Sequence, residues 1–311
     1  MKSSDKNPTV VVISKSGTTT EPAIVFRLIK KFMEGKYSPA ELKKRIICVT
    51  DAKNGALRQI ADKAGFRSFV IPDDVGGRFS ILTPVGLVPL ALAGVDVKSL
   101  VEGARKAQGE YALVDLEKNN CYCYAALRHL LYKKGKKIEV LSSFYPNVFY
   151  VAEWFKQLFG ESEGKNGKGI FPASLILSTD LHSMGQLLQD GERNLFETFL
   201  MIDKPQHDLV IPSEKEDLDQ FNFVAGKNFD YVNKKAYEAT AQAHLEGGVP
   251  NMTITLCQAD AFHAGHLYYF FEKAVAVSGY LLGVNPFDQP GVEAYKKKMF
   301  VLLGRKVKLI L

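Results

Sequence analysis

The stretch TVVVISKSGTTTEPAIVFRLIKKFM, Thr9 to Met33, decides the fold. Thr9 to Ser14 is a β-branched run suited to a strand buried on both faces. A polar loop, Lys15 to Thr20, follows. A helix then starts at Glu21-Pro22, proline being favoured in a first helical turn. Val25, Phe26, Ile29, Phe32 and Met33 recur at helical spacing and give that helix one apolar face. Strand, loop and helix in this order open a βαβ unit.

Outward from this stretch the alternation continues. Arg45 to Thr50 (RIICVT) reads as a second strand ending at Asp51, Ala56 to Ala64 as a helix stopped by Gly65, and Ser68 to Ile71 as a third strand. A helix-rich stretch, Leu82 to Lys133, leads to a second series. It has strands at Lys137 to Ser142, Ser174 to Ser178, Phe196 to Ile202 and Asn251 to Leu256, and helices at Val148 to Phe159, Leu181 to Leu188, Asn233 to Leu245 and Phe262 to Leu282. A Pro/Gly turn, Asn285 to Gly291, introduces a terminal helix. The fold class is therefore α/β, with two parallel-sheet units each covered by helices, plus a C-terminal helix. Ligands of such sheets bind beyond the carboxyl ends of the strands, which is where candidate residues are sought.

Composition narrows the function. The 311 residues are 46% hydrophobic and 24% charged, an ordinary globular balance that excludes disordered and fibrous classes. The formal charge of +6 is spread along the chain, which suits a small anionic substrate rather than a nucleic-acid tract. The 4 cysteines are too few for a disulfide scaffold. Cys121 and Cys123 do not form a CxxC pair, and Cys48 and Cys257 sit in apolar runs and read as buried strand residues. Metal binding is not expected, and a reducing cytoplasm is the expected compartment. Met1 to Pro8 is polar, unlike a signal peptide. Leu82 to Val95 contains Pro84 and Pro89 and falls short of the roughly 20 residues that span a bilayer, so no membrane association is expected.

Five segments carry chemistry. In Ser14-Lys15-Ser16-Gly17-Thr18-Thr19-Thr20 the hydroxyls, the glycine and the N–H groups of a helix start converge as they would on a phosphate; capping alone needs only one or two hydroxyls. Gly76-Gly77-Arg78 pairs room for close backbone approach with an oxyanion-holding arginine, although alone it reads as a surface turn. Gly160-Glu161-Ser162-Glu163-Gly164-Lys165 closes the helix holding Gln157 and offers Glu161 as a base, where the plain alternative is a solvated glutamate in a glycine-rich loop. His182, where a strand passes into a helix, and Lys296, one of three consecutive lysines, are candidate proton carriers with equally plain structural alternatives. Together these groups suit enolisation of a phosphorylated sugar.

At these residues the chain resembles the glucose-6-phosphate isomerase (phosphoglucose isomerase) family in its bacterial, Bacillus-like form. The resemblance rests on SKSGTTTEPA from Ser14, VIPDDVGGRFS from Val70, LFGESEGK from Leu158, STDLHSMGQ from Ser178 and NPFDQPGVEAYK ending at Lys296. It implies two sugar-isomerase (SIS) domains of three-layer α-β-α type. Residues 1–110 would form the latter part of the first, 111–284 the second, and 285–311 a C-terminal segment. It further implies glucose 6-phosphate and fructose 6-phosphate as substrates, interconverted through a cis-enediolate without a cofactor. Ser14, Lys15, Ser16 and Thr19 match phosphate-binding positions, Glu161 the base, and Arg78 the group stabilising the enediolate. His182 and Lys296 match the ring-opening groups, and Gln157 and Gln289 line the site. The family forms a homodimer in which the histidine enters the neighbouring subunit's site. Family members carry a leading segment with a GIGGS loop ahead of the strand at Thr9, so the first domain is expected to be incomplete. The sequence leaves open two alternatives: a non-catalytic sugar-phosphate-binding module, or an isomerase relic without turnover.

Overall fold

The computed structural model describes residues 7–304, apart from the side chain of Glu293. The first residues of the polar start and the apolar tail Arg305 to Leu311 lie outside the described residues. The chain divides into two compact units, Met1–Val101 and Glu102–Leu311.

In the first unit, β1 (Val10–Ile13), β2 (Ile46–Thr50) and β3 (Arg67–Val70) form a parallel sheet in the order β1-β2-β3. Helices α1 (Thr20–Glu34), α2 (Pro39–Arg45) and α3 (Ala56–Ala64) connect the strands. Val12, Ile46 and Cys48 point one way and pack with Phe26 and Met33 of α1, Leu42 of α2, and Leu57 and Ala61 of α3. Ile47 and Val49 point to the other face by strand alternation and are also buried. β2 is thus buried at every residue, whereas β1 is fully buried only at Val12, short of the expected two-sided burial. Its edge position among the described strands is the reason. Helix α2 starts at a capping box in which Ser38 and Glu41 each bond the other's backbone. After β3 come α4 (Pro84–Leu92) and α5 (Val97–Glu110).

The second unit begins within α5 and continues with α6 (Asn120–Lys133), β4 (Ile138–Ser143), α7 (Phe149–Glu163), β5 (Phe171–Ile176), α8 (Leu181–Asp190), β6 (Leu195–Lys204), α9 (Phe229–Glu246), β7 (Asn251–Gln258), α10 (Ala261–Leu282) and α11 (Val292–Leu302). Its sheet is parallel, in the order β5-β4-β6-β7. One face carries Val140 and Leu195 with Leu188 of α8. On the other, Phe155 and Phe159 of α7 meet Phe271 of α10 edge-on. Each of these fully buried rings contributes roughly 2–3 kcal/mol. The result is three layers, α6/α7/α10 over the sheet over α8/α9. Cys257 is exposed rather than buried, because β7 is the sheet's outer strand among those described.

Candidate active site

The first unit places the Ser14–Thr19 loop, Asp51 and Arg78 beyond the carboxyl ends of β1, β2 and β3. Gly17 turns the loop at φ 70, and its N–H donates to Ser14 Oγ at 3.0 Å. Thr18 donates to Ser16 Oγ through both its N–H (3.1 Å) and its hydroxyl (2.9 Å). The loop hydroxyls thus partly order their own backbone. Thr19 makes no side-chain cap on α1, so its hydroxyl is not spent on the first helical turn. Thr50 Oγ1 donates to the Lys15 carbonyl at 3.1 Å, and the Ala56 N–H to that of Ser16 at 2.8 Å. The loop is therefore held from below by β2 and by the start of α3.

Lys15 points sideways. Its Nζ donates to the carbonyls of Pro72 (3.2 Å) and Asp73 (2.7 Å), with the Asp73 carboxylate 3.9 Å away. It ties the loop to the segment that leads into Arg78. Asp51 Oδ1 accepts the N–H groups of Lys53 and Asn54, which hold its carboxyl below the usual range. Arg78 lies in a 3-10 turn, Gly77–Phe79, at 1% exposure, with its guanidinium 5.2 Å from the Phe79 ring centre. It is no surface turn residue.

In the second unit α7 runs through Glu163, so Glu161 stands in the last helical turn and not in a loop. Gln157, one turn earlier, donates from Nε2 to Glu161 Oε1 at 3.4 Å. Lys165 folds back beneath this helix end, donating to the carbonyls of Ser162 (3.0 Å) and Asn285 and pairing with Asp288 at 3.1 Å. The FDQPG turn is thereby fastened to the end of α7. Gln289 lies exposed in that turn, and Lys296, half-buried, stands in α11. Neither Lys165 nor Asp288 was marked by sequence reading, because a contact between such distant positions leaves no local pattern.

His182 is elsewhere. It is exposed in the first turn of α8, just past the carboxyl end of β5. Glu161 precedes the start of β5, and a groove at that end is lined by Gly160, Gly164, Phe171 and Pro172. The two side chains stand at opposite edges of one sheet, separated by the six residues of β5, roughly 20 Å. The search beyond carboxyl strand ends therefore finds His182 but not Glu161, which lies at the amino edge.

Beneath Glu161 lies a buried ionic cluster that sequence reading did not anticipate. Arg128 of α6 bonds Glu139 of β4 (2.6 Å) and Glu163 of α7 (2.5 Å), all three at 0% exposure. On the opposite face of the sheet Glu197 meets His244 Nδ1 at 2.5 Å and accepts from Ser142 Oγ at 2.7 Å. Among the described residues no group of three or more His, Cys, Asp or Glu side chains is arranged to hold a metal ion. None of the described helices is long and apolar enough to cross a membrane.

Comparison with known proteins matches residues 1–305 to the phosphoglucose isomerase family model. The chain is 59% identical over 300 residues to a glucose-6-phosphate isomerase of Heliobacterium modesticaldum and 57% identical over 300 residues to one of Bacillus cytotoxicus. Each alignment covers 96% of this chain and 67% of the relative, so the chain spans about two thirds of their length. Among solved structures, a hypothetical protein of Thermus thermophilus superposes with a TM-score of 0.90 at 31% identity, over 97% of this chain and 73% of that one. A glucose-6-phosphate isomerase of Chlamydia trachomatis superposes at 0.79 and 22% identity, over 95% and 59%, and shares the fold.

Proposed function

The chain belongs to the phosphoglucose isomerase family, and from that premise we propose that it interconverts glucose 6-phosphate and fructose 6-phosphate. Ser14, Ser16 and Thr19 hold the phosphate with backbone N–H groups at the start of α1, and Lys15 orders their loop. Lys296 and His182 open the sugar ring by moving a proton between the ring oxygen and the C1 hydroxyl. Glu161 then takes the C2 proton of the open aldose and returns it to C1. Arg78 stabilises the cis-enediolate between these steps, and Gln157 and Gln289 line the site. Oxidation at C2 and reduction at C1 cancel, so the reaction is internally balanced.

The observation that carries this reading is the fastening, by Lys165, of the 285–288 turn to the end of α7 on which Gln157 and Glu161 pair. The separation of Glu161 from His182 supports a homodimer in which His182 of the partner subunit completes each site. So does the stretch from the end of β6 to the first residue of α9, which presents Leu209, Leu218, Phe221, Phe223 and Phe229 at 58–84% exposure. Four free cysteines agree with a reducing cytoplasm.

A coupled assay on the purified chain, with fructose 6-phosphate supplied and glucose 6-phosphate detected, tests the reading. Glu161→Gln is expected to lower kcat by about 10³-fold or more while sugar-phosphate binding persists. Binding without turnover in the parent chain would make it a sugar-phosphate-binding module instead. Undiminished turnover in Glu161→Gln would remove Glu161 as the base.

A further inference from the structure

Arg128 is enclosed on every side. Its Nε donates to Glu139 Oε2 at 2.6 Å, its Nη1 to Glu163 Oε1 at 2.5 Å and Ser278 Oγ at 2.6 Å, and its Nη2 to Glu163 Oε2 at 3.3 Å. The guanidinium also lies 4.2 Å from the ring centre of Phe159, one helical turn before Glu163. It therefore touches two positions one turn apart on the inner face of α7's end. Its other contacts are anchored: Glu139 accepts from Tyr124 Oη (2.6 Å) and Thr198 Oγ1 (2.7 Å), and Ser278 belongs to α10.

Stability does not account for this cluster. A buried ion pair often gains no more than apolar side chains of equal volume would, because both charges are stripped of water. Glu163 is placed badly besides, since a helix's carboxyl end repels negative charge. What the arrangement does fix is rotation. Residues two apart on a helix project about 200° from each other, so a Glu163 side chain pinned in the core aims Glu161 away from it. That is the side on which Gln157 reaches Glu161.

We propose that Arg128 is a positioning residue for Glu161, acting through Glu163 to fix the last turn of α7 against the sheet and α10. This rests on the reading of Glu161 as the base. Its chemistry never involves Arg128, which touches no substrate.

Two readouts on the full chain test it. In steady-state turnover, Glu163→Gln is expected to lower kcat about tenfold to hundredfold, as misplacement of a reacting group does, with KM changed less than about threefold. By NMR of chains carrying carboxyl-labelled glutamate, the Glu161 resonance, identified by its loss in Glu161→Gln, is expected to shift or broaden in Glu163→Gln. The Glu41 resonance, in the other unit, is expected to stay in place. This second readout needs no activity. If Glu163→Gln does not fold, Ser278→Ala removes one bond from Arg128 without stranding a charge and is expected to lower kcat about threefold, with the same spectral change. An unchanged kcat together with an unmoved Glu161 resonance overturns the proposal. Turnover that survives Glu161→Gln removes the base reading instead, so the two failures are distinct.

Discussion

Glu272 shows what a single carboxyl does to this molecule. It sits on α10, largely buried, with its Oε1 making no hydrogen bond, and burial pushes its carboxyl up to about 8. Below about pH 4.5 both folded and unfolded chains hold the proton. Between there and about pH 8 the unfolded chain ionises while the folded one does not, so stability falls as pH rises through that window. The loss reaches roughly 2–4 kcal/mol above it, one edge of the residue being exposed. Glu272→Gln is therefore expected to raise Tm by several degrees at about pH 8.5 and to leave it nearly unchanged at about pH 5. Calorimetry at both values checks this, and an equal shift at both would locate the effect in packing rather than charge. Glu272 lies in a largely apolar helix and was read only as part of it, since nothing local distinguishes a snorkelling glutamate from a trapped one. Arg128 escaped for the same reason. By contrast the Ser14–Thr19 hydroxyls stand out in the sequence, because they exceed what helix capping needs, whereas Arg78 and Glu161 have plain structural alternatives there and draw their proposed roles from the family resemblance.

At the scale of elements, the loop after β1 and the start of α3 interlock through two glycines. A Cβ on Gly17, at φ +70, would fall 2.2 Å from the Leu57 backbone nitrogen. One on Gly55, at φ +95, would fall 2.7 Å from the Ser16 carbonyl oxygen. Gly55→Ala is expected to displace Ser16, break the Ala56-to-Ser16 bond and raise KM for fructose 6-phosphate about tenfold, with a stability loss of ~1–3 kcal/mol. Gly94→Ala is the control: its φ is +85 but nothing lies within 4 Å, so it is expected to cost ~1 kcal/mol with KM unchanged. Equal KM values for the two variants would dissociate the α3 start from the loop. Sequence reading placed α3 over Ala56–Ala64, as observed, because Gly65 adopts the left-handed conformation that ends it. It passed over α2, although Ser38-Pro39-Ala40-Glu41 spells a capping box, because seven residues show too little periodicity. It also set β5 about three residues late: Pro172 reads as a breaker, yet an edge strand tolerates proline.

The whole molecule raises a question that neither residues nor elements answer, namely how groups at opposite edges of one sheet serve one reaction. Glu161 and His182 flank opposite ends of β5, a strand roughly 20 Å long, so the reaction proposed above has the two groups coming from different chains. A symmetric pair resolves this if each copy lends its His182 to the other, and the exposed aromatics between β6 and α9 give such a pair apolar surface to bury. The arrangement has a signature no monomer reproduces. Chains bearing His182→Ala and chains bearing Glu161→Gln are each expected to be inactive as pure preparations. When equal amounts are unfolded and refolded together, half of the pairs are mixed. In a mixed pair one site collects both defects and the other collects neither. About one quarter of parental turnover is therefore expected to return, and it should fall on dilution as pairs dissociate. If each His182 served its own chain, every site in the mixture would keep one defect and nothing would return. Recovery near one quarter thus requires that the Glu161 and the His182 of each working site come from different copies.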